Sequence, residues 1–185
     1  MSVRYLEHVT TAVEVSTRHA VEADLEAIQR IYNDAILTTT ATWDEQPWTW
    51  ERRLAWWEEH NNPLEPILVA ECNESVIGFA YLTRYSQKSG WRFTRENTIY
   101  IDADWRGRGV GRVLLLALIE EARRIGVHLV VASITSENDV SIKLHQSLGF
   151  EYIGEFREAG FKFGRRLNTS FLQLVLADVH PEALA

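Results

Sequence analysis

The sequence predicts a mixed α/β fold in which one mostly antiparallel sheet carries helices on both faces. Stretches with strand and helix periodicity alternate in the order β-α-α-β-β-β-α-β-α-β-β. A glycine-rich loop at 106–112 joins a strand to a helix in the middle of the chain. With 185 residues, of which 46% are hydrophobic, the chain is long enough to bury one core without disulfides. We therefore predict a single domain.

The predicted domain spans residues 13–178. Residues 1–12 show no clear period, which predicts a flexible N-terminal extension, and 179–185 form a short C-terminal tail. No internal repeat or low-complexity tract divides the chain.

The first third of the domain is predicted to contain one strand and two helices. Residues 13–20 have strand character, and an amphipathic helix begins at 23–25. Its inner face is predicted to hold Leu25, Ile28, Ile31, Tyr32 and Ala35. Residues 36–48 form a loop rich in threonine, and a second helix spans 49–60 before Pro63 and Pro66 end it.

A hairpin and a central strand come next. The apolar runs 67–72 and 76–83 flank Asn73-Glu74-Ser75, which is typical of a β-hairpin. A polar and aromatic connection follows, and 94–101 is rich in β-branched and aromatic residues, as strands are.

The second half alternates helices with strands. The helix after the glycine-rich loop places one apolar stripe inward and ends at Gly126. The stripe comprises Val110, Val113, Leu114, Ala117, Leu118, Ala122 and Ile125. Residues 129–135 are almost continuously apolar, which predicts a strand buried on both faces. A shorter helix over 138–148 and strands near 152–162 and 169–177 complete the domain.

The loop at 106–112 is the strongest functional signal in the chain. Glycine lets a backbone approach a ligand closely, and the first N–H groups of a helix have no internal partner. The loop contains three arginines and no acid, so we predict a pyrophosphate cradle. It comprises Arg106, Gly107, Arg108, Gly109, Val110, Gly111 and Arg112. The P-loop pattern is absent, and a dinucleotide fingerprint would need glycine where Arg112 stands.

Composition excludes several other function classes. The net charge of −7 disfavours nucleic-acid binding, because a phosphate backbone requires a basic surface. The single cysteine, Cys72, allows no internal disulfide and is expected to be a core residue. No apolar run reaches the ~18 residues of a membrane span, and the N-terminus lacks a signal-peptide pattern. We expect a cytoplasmic protein with no membrane partner and no metal site.

Several sequence blocks carry a family resemblance. The pattern Arg-x-x-Gly-x-Gly from Arg106 to Gly111 resembles the acetyl-CoA pyrophosphate loop of the GNAT superfamily. The blocks 31–33, 37–42, 137–145, 148–150 and 156–164 are similar to those of phosphinothricin N-acetyltransferases. The resemblance implies the GNAT fold, acetyl-CoA as acetyl donor and direct transfer to the α-amino group of a small amino-acid-like acceptor. It also implies a homodimer, and a coenzyme arm that pairs with the backbone of Ile99, Tyr100 and Ile101 and touches Asn138 and Ser141.

Two residues are candidates for the proton transfer that amine acetylation needs. Glu96 shares one face of the central strand with Thr94 and Thr98, and the resemblance implies that it is the base. His145 shares a helix face with Asn138 and Ser141, and the resemblance puts it beside the thioester. A histidine exchanges protons near neutral pH, so the sequence leaves open which of the two is the base.

Acceptor recognition is expected from two loops. Anionic or strongly polar groups of the acceptor need donors, and the first loop supplies Trp43 as an opposite wall. The connection before the central strand is predicted to supply Arg84, Lys88, Ser89, Gly90 and Trp91. Acetylation of another small amine, such as a polyamine or a protein N-terminus, and a non-catalytic acyl-CoA sensor remain alternatives, and the physiological acceptor is left open.

Overall fold

The structure, a computed structural model, describes residues 14–60 and 62–176. The predicted extension 1–12, the tail 179–185 and residue 13 lie outside these ranges. The described strands are β1 (Ser16–His19), β2 (Ile67–Cys72), β3 (Ser75–Arg84), β4 (Thr94–Ile101), β5 (Leu129–Thr135), β6 (Glu151–Lys162) and β7 (Arg165–Val175). The α-helices are α1 (Leu25–Thr38), α2 (Trp50–His60), α3 (Val110–Arg124) and α4 (Asp139–Gln146).

The described strands form one mixed sheet in the order β1-β2-β3-β4-β5-β7-β6. Every pair of neighbours is antiparallel except β4 and β5, which run parallel. The β4–β5 ladder is short, because it joins only 94–96 of β4 to 129–131 of β5. Beyond Glu96 and Val131 the two strands separate, which opens the middle of the sheet.

Helices cover both faces of the sheet, which confirms the predicted fold class. Successive side chains of β2 point to opposite faces of the sheet, and the core on each face forms a separate hydrophobic cluster. Ile67 and Val69 pack with α1 and α2, whereas Leu68, Ala70 and Cys72 pack with α3. Cys72 is a buried core residue, as predicted.

The predicted apolar stripe of α3 is correct except at one edge. Val113 is 36% exposed, whereas Leu115 and Ile119, which were left out of the stripe, are buried. The inner face is thus rotated slightly, because α3 packs on β2, β3 and β4 together. The predicted glycine stop of α3 holds, since Gly126 follows it with φ of 77°, and Gly149 follows α4 in the same way with φ of 92°.

Candidate active site

A cavity of about 410 Å³ lies where β4 and β5 separate. One end is lined by aromatic residues and a carboxylate, and the other by polar residues of β5 and α4. The first end comprises Trp48, Trp56, His60, Tyr81 and Glu96, and the second comprises Asn97, Ser133, Thr135, Asn138, Ser141 and His145. Ile99 and Tyr100 of β4 also line the cavity.

The predicted cradle has the geometry of an anion site. Gly107 and Gly109 adopt φ of 73° and 83°, and a Cβ at either position would meet no atom within 4 Å. The backbone N–H groups of 107–111 have no acceptor among the described residues. Gly111 serves packing instead, because a Cβ there would lie 3.1 Å from Leu144 of α4. Backbone N–H groups beside open space can bind an anionic group such as a diphosphate.

The three arginines of the cradle differ in their surroundings. Arg106 donates to Asp34 of α1 at 3.0 Å and to the Ile101 carbonyl at 3.2 Å. Arg112 donates to the Ser147 hydroxyl at 3.1 Å. Arg108 has no ion pair among the described residues, and its guanidinium lies 5.3 Å from the ring centre of Trp105. Arg106 is therefore paired with a carboxylate, whereas Arg108 and Arg112 have no carboxylate partner among the described residues.

Glu96 lies on the wall of the cavity. On β4 it shares a face with Thr98 and Tyr100, and that face is covered by α1 and α2. Its carboxylate is half-buried and forms no ion pair within the described part of the chain. A carboxylate held at the aromatic end of a cavity can accept a proton from a bound ammonium group.

His145 lies at the opposite end and is 3% exposed. Its Nε2 is 3.0 Å from Asn97 Oδ1, and its Nδ1 is 2.8 Å from the Ser141 carbonyl oxygen. The Asn97 amide donates to the Val131 carbonyl at 3.0 Å, so its oxygen is the atom directed at Nε2. Burial lowers the pKa of His145. Both ring nitrogens therefore face protein oxygens.

Asn97 is a functional candidate that the sequence analysis missed. It is the first residue of β4 beyond the last β4–β5 pair, and its side chain continues the ladder by bonding to Val131. Its position next to Glu96 could have indicated it, because successive residues of a strand point to opposite faces of the sheet.

Asn138 caps the start of α4. The Asn138 side chain accepts from the Ser141 backbone N–H at 3.2 Å and caps the helix. Both residues line the polar end of the cavity. The cap holds this end of α4 against the opening between β4 and β5.

Trp43 is the one predicted acceptor residue that lines the cavity. Its indole covers Gly160 of β6, where a Cβ would lie 2.0 Å from the ring. Lys162 stabilises the same loop, because its buried ammonium donates to the Thr42 carbonyl at 2.8 Å. The loop after α1 is thus attached to β6.

The other predicted acceptor residues lie outside the cavity wall in this chain. Arg84 Nε is 3.8 Å from the Glu65 carboxylate, and Trp91 packs against Tyr85 in a tilted arrangement with ring centres 5.1 Å apart. The segment from Lys88 through Ser89 and Gly90 to Trp91 forms an exposed turn. A role for these residues in acceptor binding stays a prediction.

The sequence analysis also missed Arg53. This α2 residue is 1% exposed, and its guanidinium carbon lies 4.4 Å and 4.7 Å from the ring centres of Trp48 and Trp56. Its Nε and Nη2 have no hydrogen-bond partner among the described residues. Burial lowers its pKa to about 10, so the group stays charged at neutral pH.

Within residues 14–60 and 62–176, no three His, Cys, Asp or Glu side chains lie close enough together to hold a metal ion. In those same ranges no helix combines the length and apolar character needed to cross a membrane.

Comparison with known proteins agrees with the geometry. Residues 26–150 match the model of the acetyltransferase (GNAT) family. The chain is 42% identical over 171 residues to the L-amino acid N-acyltransferase MnaT of Escherichia coli K12, covering 92% of this chain and 99% of that protein. It is 43% identical over 162 residues to the L-methionine sulfoximine/L-methionine sulfone acetyltransferase of Salmonella typhimurium, covering 88% and 95%.

Solved structures show the same relationship. A GNAT superfamily phosphinothricin acetyltransferase of Sinorhizobium meliloti, solved with acetyl-CoA, superposes with a TM-score of 0.84 at 32% identity, covering 91% of this chain and 96% of that one. The yncA protein of Salmonella typhimurium, solved with its cofactor acetyl-CoA, gives 0.85 at 42% identity, covering 90% and 96%. The separated strands, the open cradle and these matches together identify the chain as a member of the GNAT family of N-acetyltransferases.

Proposed function

We propose that this protein transfers the acetyl group of acetyl-CoA directly to the α-amino group of a small amino acid, of the methionine sulfone, methionine sulfoximine or phosphinothricin type. The observation that carries the proposal is the cavity at the β4–β5 opening, with Glu96 on its wall. The substrate classes come from the names of the relatives, which include L-methionine sulfoximine/L-methionine sulfone acetyltransferase and phosphinothricin N-acetyltransferase.

Acetyl-CoA would be held at two places in the chain. The free N–H groups of 107–111 and the guanidinium of Arg108 would bind its diphosphate. The coenzyme arm would pair with β4 at 99–101, because that edge has lost β5 as its hydrogen-bond partner. This supports the predicted roles of Ile99, Tyr100 and Ile101.

Glu96 is the better candidate for the base. It would take a proton from the acceptor ammonium, and the freed amine would attack the thioester carbonyl carbon. The resulting tetrahedral intermediate would collapse with cleavage of the C–S bond, and the second proton lost by the amine nitrogen would pass to the departing thiolate, which leaves as the free thiol of coenzyme A. Glu96 forms no ion pair with another described residue, so its carboxylate is available for this step.

His145 would act as a positioning residue. Its two nitrogens face Asn97 and Ser141, which leaves neither of them directed at an acceptor amine. The imidazole would instead fix the start of α4, which carries Asn138 and Ser141, relative to β4. Of the two candidates that the sequence leaves open, we therefore propose Glu96 as the base.

We also propose a cytoplasmic homodimer. β6 is an edge strand of the sheet, and Tyr152, Ile153, Phe156 and Phe161 along it are all more than half exposed. An exposed row of apolar residues on an edge strand favours pairing with a second copy. Sedimentation of the parent and of Phe156→Glu tests this, because a dimer through β6 would dissociate in the variant.

One assay tests the proposed activity. Release of free thiol from acetyl-CoA should be measured with methionine sulfone, methionine sulfoximine, phosphinothricin, common amino acids and a polyamine. We expect the highest kcat/KM with one of the amino-acid acceptors. A preference for the polyamine would support the alternative amine acetyltransferase, and binding of acetyl-CoA without turnover of any acceptor would support a sensor.

A further inference from the structure

We propose that Arg53 supplies the positive charge by which this site recognises the carboxylate of its acceptor. The inference deepens the proposed function and rests on it, because it concerns which amines enter the cavity. It assigns a specificity role to a residue on α2 that is far in sequence from both the cradle and Glu96.

Arg53 is a buried cation without a counter-ion. Its guanidinium is stacked among the rings of Trp48, Trp56 and Tyr32, at 4.4, 4.7 and 5.1 Å from their centres. Among the described residues no acceptor bonds to Nε or Nη2, and no carboxylate forms an ion pair with the group. Burial of an unpaired charge is costly, so such a group is seldom retained for packing alone.

The neighbouring acid does not neutralise Arg53. Asp44 accepts hydrogen bonds from Tyr32 and from the indole of Trp48, at 2.7 Å and 2.6 Å. Its ion pair is with Arg52, at 3.4 Å, and Arg52 lies on the solvent side of Trp48 with about half of its side chain exposed. The two consecutive arginines thus contact the same indole, but only Arg52 has a carboxylate partner.

An acceptor carboxylate needs a positive charge nearby, and the described residues that line the cavity supply none. Among the described residues that line it there is no lysine or arginine, and Glu96 is the sole carboxylate. An acceptor with its own carboxylate would therefore meet a negative wall. Trp48 and Trp56 form the wall at the Glu96 end, and Arg53 lies directly against those two rings.

Charges act over several ångströms in a poorly solvated interior, so Arg53 can attract an acceptor carboxylate across the aromatic wall. The same charge repels a second ammonium group, which disfavours polyamines. The ligand class is therefore a monoamine that carries an α-carboxylate.

The test compares methionine sulfone with the amine that it would give on decarboxylation. The selectivity is the ratio of the two kcat/KM values, measured for the parent, Arg53→Gln, Arg53→Lys and the matched control Arg52→Gln. We expect Arg53→Gln to lower the ratio about tenfold, mainly through KM for methionine sulfone. Arg53→Lys, which keeps the charge, and Arg52→Gln should stay close to the parent ratio. An unchanged ratio in folded Arg53→Gln would overturn the inference while leaving the proposed function intact.

A second measurement uses the parent protein alone, in case the Arg53 variants do not fold. The desamino analogue of methionine sulfone keeps the carboxylate but cannot be acetylated, and its methyl ester lacks the charge. We expect the acid to compete with methionine sulfone at least tenfold more strongly than the ester, and equal inhibition would refute a role for charge. If the parent acetylates no amine, the proposed function fails. Quenching of tryptophan fluorescence by the acid but not by the ester would then still support Arg53 as the recognition group, and no difference would exclude it.

Discussion

Replacement of Asn97 by alanine should destabilise the protein far more than an exposed asparagine would. The Asn97 side chain is 7% exposed and bridges β4, β5 and α4, with bonds of 3.0 Å to Val131 and 3.0 Å to His145. Its loss leaves the buried Val131 carbonyl and the buried Nε2 of His145 without these partners. Each orphaned group costs about 1–3 kcal/mol.

The expected total is about 3 kcal/mol, near the lower end of that sum. Asn97 lines the cavity, so water can enter the vacated space and satisfy part of the lost bonding. For a chain of 185 residues this loss lowers Tm by about 6–12 °C. Thermal and urea unfolding followed by circular dichroism give the two quantities.

Asn168 provides the matched control. Its side chain also makes two bonds, accepting from the Glu158 N–H at 2.8 Å and donating to Glu155 at 3.0 Å, but both lie at the surface. Asn168→Ala should therefore cost less than about 1 kcal/mol, because water replaces the lost partners. Equal losses for the two variants, or an Asn97→Ala Tm within about 2 °C of the parent, would refute the bridging role.

Three further predictions concern the proposed chemistry. Glu96→Gln should lower kcat by about 10²–10⁴-fold and leave the acetyl-CoA Kd from calorimetry unchanged, since the carboxylate acts as base. Gly109→Ala should weaken acetyl-CoA binding at least about fivefold at a stability cost of about 1 kcal/mol, because φ is 83° and the N–H groups must approach the diphosphate. Burial lowers the folded-state pKa of His145, so its contribution to stability should be fully present above the unfolded pKa of about 6.5 and be lost as pH falls. Urea unfolding of His145→Gln at several pH values should show a weaker loss below that pH than the parent shows.

Gly164→Ala is the control for Gly109→Ala, because it distinguishes an effect on coenzyme binding from an effect of backbone strain. Its φ of 75° resembles that of Gly109, and a Cβ there also meets no atom within 4 Å, but it lies between β6 and β7. Gly164→Ala should lose similar stability with no change in the Kd for acetyl-CoA. A parallel loss of coenzyme affinity in both variants would mean that the strain, and not the cradle, is responsible.

Regular periodicity made most of the fold predictable. The bounds of β2, β4 and β5 agree with the predicted ones, because each strand is bordered by turn residues and is uninterrupted within. β7 begins at Arg165, four residues before the predicted start, because it pairs with β6 across the tight Phe163–Gly164 turn. Polar residues in such a segment resemble a loop until the partner strand is known.

The site was predictable where it depends on one segment and not where it depends on several. The cradle is a continuous loop, so its glycines could be recognised along the chain. Trp56 follows Arg53 on α2 and Trp48 lies just before that helix, but Tyr32 reaches the guanidinium from the separate helix α1. Arg106 likewise loses its free charge to Asp34, which is 72 residues away in the sequence. Such long-range partners leave no local pattern.

The short β4–β5 ladder explains why the proposed groups converge at one place. Because the ladder ends at Glu96 and Val131, the next backbone groups of β4 are left without a β5 partner, as an added strand requires. Alternation then directs Glu96 and Asn97 to opposite faces of the sheet at this same point. Glu96 faces the aromatic end near Arg53, where an acceptor would bind, and Asn97 secures α4 through His145. A longer ladder would close the cavity and remove the coenzyme's pairing edge, so the early end of the β4–β5 pairing is the feature on which both halves of the proposed reaction depend.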